Sequence, residues 1–379
     1  MNALKCLFRV ATMSAVVFAQ VAATSPAKPP GYDINWYLHH QRLVDIGGRR
    51  LNMLCTGNGS PTVILEAGLL ADLSAWRRVQ PAISRHTRVC SYDRAGLGFS
   101  DPAAPPRDAS AIVRDLHTLL RTAGIAPPYV LVGWSSGGLY TRLYQYRFPS
   151  EVVGLVEIDP DSEFVGMADY SKIVTTVMRK PRRWFDQQVR DWYKQYDTCA
   201  INLARGTCAF FPGGLAAYER KLRSAGCPKV SPAACALAEV RGKHLARAFF
   251  WKDEALELEA TDKSAAEVRA MHRPYGSLPL IVLTDSEKGD VDHSGPVTVA
   301  AQRAEWRAKD RAEERLAELS AVGAHFVVDG SPHDIQLADP TVVISAVDEV
   351  IDQARYNPTR QRSRLTDKRP IDASSNPRG

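Results

Sequence analysis

A short segment in the middle of the chain constrains the fold more than any other. Residues 129–132 read YVLV, residues 133–137 read GWSSG, and a stretch with helical spacing of apolar residues follows over 138–148. An apolar run that enters a helix through a tight, glycine-flanked turn is typical of sheets whose strands alternate with helices. The segment therefore predicts a buried strand, a tight turn and a helix in direct succession.

Other apolar runs bounded by turn residues extend this pattern along the chain. Helical spacing of apolar residues recurs at 109–123 and 342–354. Because strands alternate with helices, we expect a mostly parallel, doubly wound α/β sheet that is covered on both faces. The predicted strands lie at 51–55, 62–65, 88–92, 129–132, 153–158, 280–283 and 325–328.

The alternation stops between the fifth and sixth predicted strands. About 120 residues there are helix-like, basic and rich in aromatic residues, which is too long for a simple connection. We predict a helical, aromatic-rich insertion at 160–278, called the cap below, between a first core part at 24–159 and a second at 279–355. Most of its aromatic side chains are expected to form the small core of the cap itself.

The formal net charge of +6 is confined to the two ends of the chain. Residues 1–23 carry a net charge of +2 and residues 356–379 carry +4, so residues 24–355 are neutral. A neutral body lacks the basic face that nucleic-acid binding requires. We expect no nucleic-acid partner, and we predict that 356–379 is a disordered, solvated basic tail.

The first 23 residues have the pattern of a secretory signal peptide. Lys5 and Arg9 precede an apolar stretch, and small residues around Ala23 offer a cleavage site. The apolar stretch has roughly 13 residues, whereas a membrane span needs roughly 20. We therefore expect cleavage near Ala23 and a periplasmic or secreted protein without integral membrane association.

Cysteine usage agrees with export. An even number of cysteines in an exported chain predicts disulfides. We favour two local bridges, Cys199 with Cys208 and Cys227 with Cys235, while the two cysteines in predicted strands are either bridged or simply buried. The spacing fits neither a zinc site nor a cysteine nucleophile. The six cysteines after the signal peptide are Cys55, Cys90, Cys199, Cys208, Cys227 and Cys235.

The central turn carries a candidate nucleophile. Of its two serines, only Ser135 has glycine both two positions before it and two positions after it, at Gly133 and Gly137. In a G-x-S-x-G turn between a strand and a helix, the serine occupies a strained position from which its hydroxyl projects. Ser135 is therefore the predicted nucleophile, and Ser136 supplies a backbone N–H.

With these segments in place, the chain resembles exported α/β-hydrolases of the serine-esterase type over about residues 45–160 and 276–355. TVILEAGL at 62–69 resembles the strand and oxyanion loop, and YDRAGLGFSD at 92–101 resembles a D-x-x-G-x-G-x-S turn of that family. VEIDP at 156–160 resembles the strand before the cap, and SPHD at 331–334 resembles the catalytic-histidine loop. The resemblance implies an α/β-hydrolase fold with a helical cap inserted between two late strands.

The resemblance also implies the site residues. His333 would be the general base, since it follows the last predicted strand, and its rival His325 is expected to pack at a strand end. The N–H groups of Leu69 and Ser136 would form the oxyanion hole. The residue before the nucleophile is often histidine in the family but is Trp134 here, and we place it in the substrate pocket. The loop before Leu69 reads Ala-Gly rather than His-Gly, which leaves the backbone donor intact.

Three aspartates remain open as the acid that would orient His333. The chain order Ser, Asp, His favours the loop after the sixth predicted strand. Within that loop the family position favours Asp290, with Asp285 next, and Asp159 is an alternative because some relatives carry the acid after the earlier strand. The sequence Asp290-Val-Asp292-His293 is better explained as a solvated acidic loop than as a metal site. We expect neither a metal nor a cofactor.

The leading hypothesis is a serine hydrolase that cleaves a carboxylic ester through an acyl-enzyme with a Ser-His-Asp triad. The aromatic cap suggests a small-molecule ester with an apolar or aromatic group. Two alternatives stay open: the same triad acting on an amide, lactone, thioester or C–C bond, and a non-catalytic hydrolase-like binding protein. A serine nucleophile argues against an epoxide hydrolase or dehalogenase, which use aspartate in this fold.

Overall fold

The structure is a computed structural model that describes Tyr37 and residues 41–202, 207–208, 211–212, 232–245, 247–287, 289, 291 and 296–356. For some residues between 196 and 248 only the backbone is described. The predicted signal peptide at 1–23 and the predicted basic tail, except Tyr356, lie outside these ranges. Helices and strands are numbered in chain order over the described residues.

An eight-stranded sheet forms the centre of the fold, in the strand order β1-β2-β4-β3-β5-β6-β9-β10. The pairs β1 with β2 and β2 with β4 are antiparallel, and all other pairs are parallel. A separate two-stranded ribbon is formed by β7 and β8. The strands are β1 Arg42–Asp45, β2 Arg50–Thr56, β3 Thr62–Glu66, β4 Val89–Tyr92, β5 Tyr129–Trp134, β6 Val152–Ile158, β7 Thr207–Cys208, β8 Phe211–Pro212, β9 Leu280–Thr284 and β10 Ala324–Val327.

All seven predicted strands are present, each within two residues of its predicted bounds. Strand β1 was not predicted; it is an edge strand in which only Val44 is buried. Such a strand has no apolar run, and it is held by pairing with β2 through a turn at Gly47 and Gly48, whose φ angles are 94° and 95°. Glycine adopts such positive φ angles without strain, which other residues do not.

Helices cover both faces of the sheet and fill the connection between β6 and β9. The three predicted helices correspond to α2, α3 and α11, whereas the long helix α9 was not predicted. The helices are α1 Gln80–Ile83, α2 Ala109–Thr122, α3 Gly137–Arg147, α4 Met167–Met178, α5 Arg182–Asn202, α6 Pro232–Leu245, α7 Ala248–Glu259, α8 Thr261–Ala270, α9 Val299–Ala317, α10 Ile335–Ala338 and α11 Pro340–Tyr356.

Two apolar layers hold the sheet between its helices. Alternate residues of a strand point to opposite faces, so Ile64 belongs to one layer and Val63 and Leu65 to the other. Helices α2, α3 and α8 and the end of α9 pack on the first layer, while α1 and α11 pack on the second. Each fully buried Val, Leu or Ile contributes about 1.5–3 kcal/mol by leaving water. The predicted doubly wound arrangement is confirmed.

The cap range lies between β6 and β9 in the chain and contains α4 to α8 and the ribbon. Phe250 and Trp251 of α7 are buried with Leu97 and Leu258, and the Trp251 indole N–H donates to the Leu245 carbonyl at 2.7 Å. These two aromatic residues therefore pack within the cap and also against Leu97 of the first core part. All described residues belong to one compact unit, so the boundaries at 160 and 278 stay predictions.

One disulfide joins two strands of the sheet, between Cys55 of β2 and Cys90 of β4, which are paired in register. Of the two alternatives for these residues, the bridged one is present. Cys199 is disulfide-bonded as well. The side chains of Cys208, Cys227 and Cys235 lie outside the described part, so the two local pairings stay predictions.

Candidate active site

Ser135 lies at the turn between β5 and α3 and has a φ angle of 56°, in the left-handed region that a residue with a Cβ rarely adopts. The glycines on either side allow the close packing around it. A Cβ at Gly133 would lie 2.6 Å from the Thr141 hydroxyl oxygen, and one at Gly137 would lie 2.5 Å from the Glu66 carbonyl oxygen. The turn is thus the strained strand-to-helix bend that the sequence predicted.

The loop after β3 is pressed against this turn. A Cβ added at Gly68 would lie 2.8 Å from the Ser135 Cβ, so only glycine allows this approach. Leu69 follows directly and packs with the apolar cluster of the cap. Ser136 is buried and precedes α3, where the helix dipole places positive charge. The residues predicted to supply the oxyanion hole therefore lie on the two chain segments that meet at Ser135.

A buried arginine, which the sequence analysis did not identify, holds this loop from behind. The Arg94 guanidinium donates to the Gly68 carbonyl at 2.8 Å and forms ion pairs with Glu66 at 3.0 Å and Glu257 at 2.9 Å. All three charged side chains are 1–2% exposed. Burial raises the pKa of Glu66 to about 7, although the charge of Arg94 opposes this shift. Glu257 belongs to α7, so the cap contributes to the support of the loop.

A second carboxylate of α7 binds the loop directly. The Leu70 N–H donates to Glu254 Oε2 at 2.8 Å, and Leu70 has a φ angle of 58°. Burial, and then the neighbouring charge of Glu257, raise the pKa of Glu254 to about 8. Removing Glu254 as the acceptor would leave the Leu70 N–H without this hydrogen bond, which costs free energy. Glu254 therefore stabilises the strained residue that follows Leu69.

His333 lies in the loop after β10, and Trp134 attaches this loop to the turn at Ser135. The Trp134 indole N–H donates to the His333 carbonyl oxygen at 2.9 Å, and the two rings lie 5.4 Å apart between centroids. Trp134 immediately precedes Ser135. The residue that the sequence analysis assigned to the substrate pocket thus also holds the loop of the predicted base.

The His333 ring meets Asp159, the last of the three candidate acids. His333 Nδ1 forms a short hydrogen bond with Asp159 Oδ2; the Asp159 side chain is fully buried, and that of His333 is 43% exposed. Asp159 follows β6 with a φ angle of 42°, and its N–H donates to the Leu283 carbonyl at 2.6 Å. An ionised carboxylate only accepts hydrogen bonds, so Nδ1 carries the proton and Nε2 is the basic nitrogen of the neutral ring.

Charges around this pair set both ionisations. Burial would raise the pKa of Asp159, but the hydrogen bond with His333 and the charge of Lys309 outweigh it and hold this pKa below its usual range. Burial would likewise lower the pKa of His333, but contact with Asp159 raises it above its ordinary value. At neutral pH Asp159 is therefore an anion that favours the imidazolium form of His333.

The other two candidate acids differ from Asp159. Asp285 Oδ1 accepts hydrogen bonds from Trp306 Nε1 at 2.8 Å and from Lys309 Nζ at 2.7 Å. Asp290, which the family pattern favoured, lies outside the described residues. The carboxylate in contact with the His333 ring is thus the one after β6, which the resemblance ranked behind the loop after β9.

His325, the rival base, lies in β10 away from this pair. Its Nε2 is 2.6 Å from the Thr284 hydroxyl oxygen and 3.7 Å from Asp310 Oδ1. Packing within the sheet, as the sequence analysis expected, accounts for this histidine.

A cavity of about 240 Å³ opens beside the oxyanion loop. Leu69, Trp134 and Asp334 are among the residues that line it, each next in sequence to Gly68, Ser135 or His333. Its wall is mixed, with Asp72, Ser74 and Arg77 among apolar residues such as Leu70, Ala71, Ala75 and Leu337. The volume lies below the roughly 300–1,000 Å³ of sites for drug-sized ligands, so it suits a small group.

The described residues contain no group of three or more His, Cys, Asp or Glu side chains that could hold a metal ion. The acidic loop with Asp290, Asp292 and His293 lies outside them. Likewise, within the described ranges no helix is both long enough and apolar enough to cross a bilayer.

Comparison with known proteins supports the same fold. Residues 61–233 match the model of a protein family described as having the α/β hydrolase fold. A thermophilic esterase from Thermogutta terrifontis superposes with a TM-score of 0.53 over 83% of this chain and 98% of the esterase, at 15% identity. The chain has the α/β-hydrolase fold. At this identity the structural likeness speaks for the fold alone.

Two curated relatives share parts of the sequence. A fluoroacetate dehalogenase from a Burkholderia species is 28% identical over 199 residues, which cover 48% of this chain and 64% of the relative. A 2-hydroxy-6-oxo-2,4-heptadienoate hydrolase from Pseudomonas putida is 34% identical over 119 residues, covering 30% of this chain and 42% of the relative. The chain thus spans less than two thirds of the length of either relative.

Proposed function

We propose that this protein is a serine hydrolase that cleaves a small carboxylic ester through an acyl-enzyme. The observation that carries the proposal is the meeting of three segments at one turn: Ser135 with its positive φ, the Gly68 loop against it, and the His333 loop docked on Trp134. An alcohol needs a base to become a nucleophile, and that base needs a third group to fix its tautomer. The contact of His333 with Asp159 supports Asp159 in that third role.

The reaction follows from these groups. Neutral His333 accepts the Ser135 proton as the serine oxygen attacks the acyl carbon, and the N–H groups of Leu69 and Ser136 stabilise the oxyanion. The imidazolium then protonates the leaving alcohol. Water attacks the acyl-enzyme by the same proton transfers, which releases the acid and restores Ser135. Asp159 stays ionised and stabilises the imidazolium throughout.

The cavity of about 240 Å³ beside Leu69 and Trp134 supports a small group on one side of the scissile bond. The apolar or aromatic character expected from the cap stays a prediction, because polar side chains also line this cavity. We expect acetyl and butyryl p-nitrophenyl esters to be cleaved at least about tenfold faster than octanoyl or longer acyl esters, since one methylene group in a confined pocket changes selectivity by about 10-fold or more.

A panel of p-nitrophenyl esters and amino-acid arylamides tests the proposal. We expect ester hydrolysis by the wild type and none above background by Ser135→Ala, with Ser136→Ala as the matched control that retains activity. Faster cleavage of arylamides would favour the alternative bond types. Equal hydrolysis by wild type and Ser135→Ala would contradict the proposal. If neither protein hydrolyses a substrate or is labelled by a fluorophosphonate, a non-catalytic binding protein would be favoured.

We also propose that the protein works in an oxidising compartment, in the periplasm or outside the cell. The disulfide between Cys55 and Cys90 supports this location, because such bonds rarely persist in the cytosol. Expression of the full chain followed by fractionation and intact-mass measurement tests the proposal. Loss of residues 1–23 and recovery outside the cytoplasm are expected, and a full-length cytoplasmic product would contradict it.

A further inference from the structure

A half-buried lysine lies directly behind the Asp159–His333 pair. Lys309 projects from α9, and its Nζ is 2.7 Å from Asp159 Oδ1, 2.9 Å from Asp159 Oδ2 and 2.7 Å from Asp285 Oδ1. The Lys309 side chain is 20% exposed, that of Asp159 is 0% exposed and that of Asp285 is 6% exposed. One ammonium group therefore binds two carboxylates at the ends of β6 and β9.

The two carboxylates would repel each other without this cation. The Asp285 N–H donates to Asp159 Oδ1 at 2.9 Å, which brings the two residues side by side. Two buried carboxylates that share a site cannot both ionise easily, and one of them takes up a proton. Burial and the charge of Asp159 indeed raise the pKa of Asp285. The ammonium group offsets this repulsion and, after the hydrogen bond with His333, helps to hold the pKa of Asp159 low.

We propose that Lys309 is a positioning residue for the triad: its ammonium group holds the Asp159 carboxylate oriented towards His333 and offsets the negative charge of Asp159 and Asp285. This inference rests on the proposed function, because it assigns a role to the Asp159–His333 pair. It goes beyond that function in giving the site a fourth charged member, which comes from a helix that the sequence pattern does not reveal.

The surroundings of Lys309 leave it charged. Burial would lower the pKa of Lys309, but its carboxylate neighbours, among which Asp159 has the largest effect, outweigh burial and raise this pKa above its usual range. Glu313 is fully buried, and burial holds the pKa of Glu313 well above its ordinary value. The titratable groups that face Lys309, besides Asp159, are Asp161, Tyr170, Asp285, Glu305, Glu313 and His333.

The cation also acts on the base. The charge of Lys309 pulls the pKa of His333 down, against the upward effect of Asp159. Ser135 is activated only by neutral His333, so the rate falls as the pH drops through the pKa of His333. Removing the cation stabilises the imidazolium form and so raises the pKa of His333. The acid limb of the pH profile, where the rate falls as the pH drops, should therefore move to higher pH. A residue needed only for packing would lower the amount of folded protein without moving this limb.

The test measures the rate at which a fluorophosphonate labels Ser135 between pH 5 and 9 in the full-length protein. We expect Lys309→Met to move the acid limb up by about one pH unit, which is the usual effect of an ionic neighbour, and to lower the plateau rate at least about tenfold. Lys309→Arg keeps the charge and is expected to leave the limb within about 0.3 unit of wild type. Asp285→Asn is expected to move the limb slightly down.

The double variant Lys309→Met with Asp285→Asn removes both opposite charges and should return the limb towards its wild-type position. If Lys309→Met alone does not fold, the double variant still tests the proposal. An acid limb displaced by about one pH unit or more in the double variant would contradict the claim that the charges of Lys309 and Asp285 offset each other. Labelling of wild type with an unmoved limb in Lys309→Met would overturn this inference while the proposed function stands. Absence of labelling in wild type would overturn both.

Discussion

The two sides of the turn at Ser135 are supported by different parts of the chain. On the oxyanion side, Glu254 and Glu257 of the cap helix α7 hold the loop at Leu70 directly and through Arg94. On the acid side, Asp159 is held by Lys309 of α9 and by the backbone after β9, all within the core. Loosening the cap should therefore weaken the oxyanion hole first, whereas changes to the core should disable the base.

The acid side is expected to show the largest effect. Asp159→Asn keeps the size of the side chain, but its amide favours the wrong tautomer of His333, and a loss of about 10⁴-fold in kcat is expected for such a change. Asp285→Asn and Asp290→Asn are matched controls, for which we expect less than about tenfold loss. Steady-state ester hydrolysis measures all three variants. If Asp290→Asn lost as much as Asp159→Asn, the acid would be the one that the family pattern favoured.

The oxyanion side should give a smaller loss. Glu254→Leu removes the acceptor of the Leu70 N–H but leaves the backbone donors of Leu69 and Ser136 in the chain. Complete loss of one oxyanion donor costs about 10²–10³-fold, so a loosened loop should lower kcat by about 10–100-fold with little change in KM. Glu254→Gln retains an accepting oxygen and should stay within about threefold of wild type. An equal loss in both variants would mean that the hydrogen bond is not the cause.

A third variant tests how the loop that carries His333 is positioned, independently of the contact between His333 and Asp159. Trp134→Phe retains a ring beside His333 but loses the indole N–H that binds the His333 carbonyl. One such hydrogen bond contributes about 0.5–1.5 kcal/mol, so kcat should fall about 3–10-fold. Trp134→His, which keeps a ring N–H, is the control for that bond. An unchanged kcat in Trp134→Phe would show that the loop of His333 is positioned without the indole hydrogen bond.

The smallest effect is on stability. The pKa of Glu254 is about 8 in the folded protein and near 4.3 when unfolded, so between these values the folded state holds a proton that the unfolded state releases. Stability contributed by this group therefore falls as the pH rises from about 4.3 to 8 and is constant above. Glu254→Gln removes this dependence, and its Tm should exceed that of wild type by about 2–4 °C more at pH 8 than at pH 5. A constant difference would contradict the raised pKa.

The residues of the turn itself could be predicted because their signals are local. Gly133, Ser135 and Gly137 follow from the geometry of a strand-to-helix turn, and the apolar runs place the strands around it. His333 could be placed because its loop follows the last strand. The choice among three aspartates could not be made locally, since each follows or lies near a strand end and only the folded loops decide which one reaches the ring.

The supporting charges could not be predicted for a related reason. Helix α9 carries Lys309 in a sequence rich in Arg and Glu, VAAQRAEWRAKDRAEERLA, which has the composition of a solvated helix. Helix α7 likewise presents Glu254 and Glu257 in a region of mixed charge. Lys309, Glu254 and Glu257 become shielded from water only when the cap and α9 pack near the turn. No periodicity or motif in a single sequence indicates that packing.

The position of a covalent adduct tests the central claim most directly. After a brief exposure to a fluorophosphonate, peptide mapping of the wild type should find the adduct on Ser135 and on no other serine, and His333→Ala should be labelled at least about 10³-fold more slowly. An adduct on a different residue, or equal labelling of Ser135 in wild type and His333→Ala, would contradict a nucleophile at this turn that depends on His333.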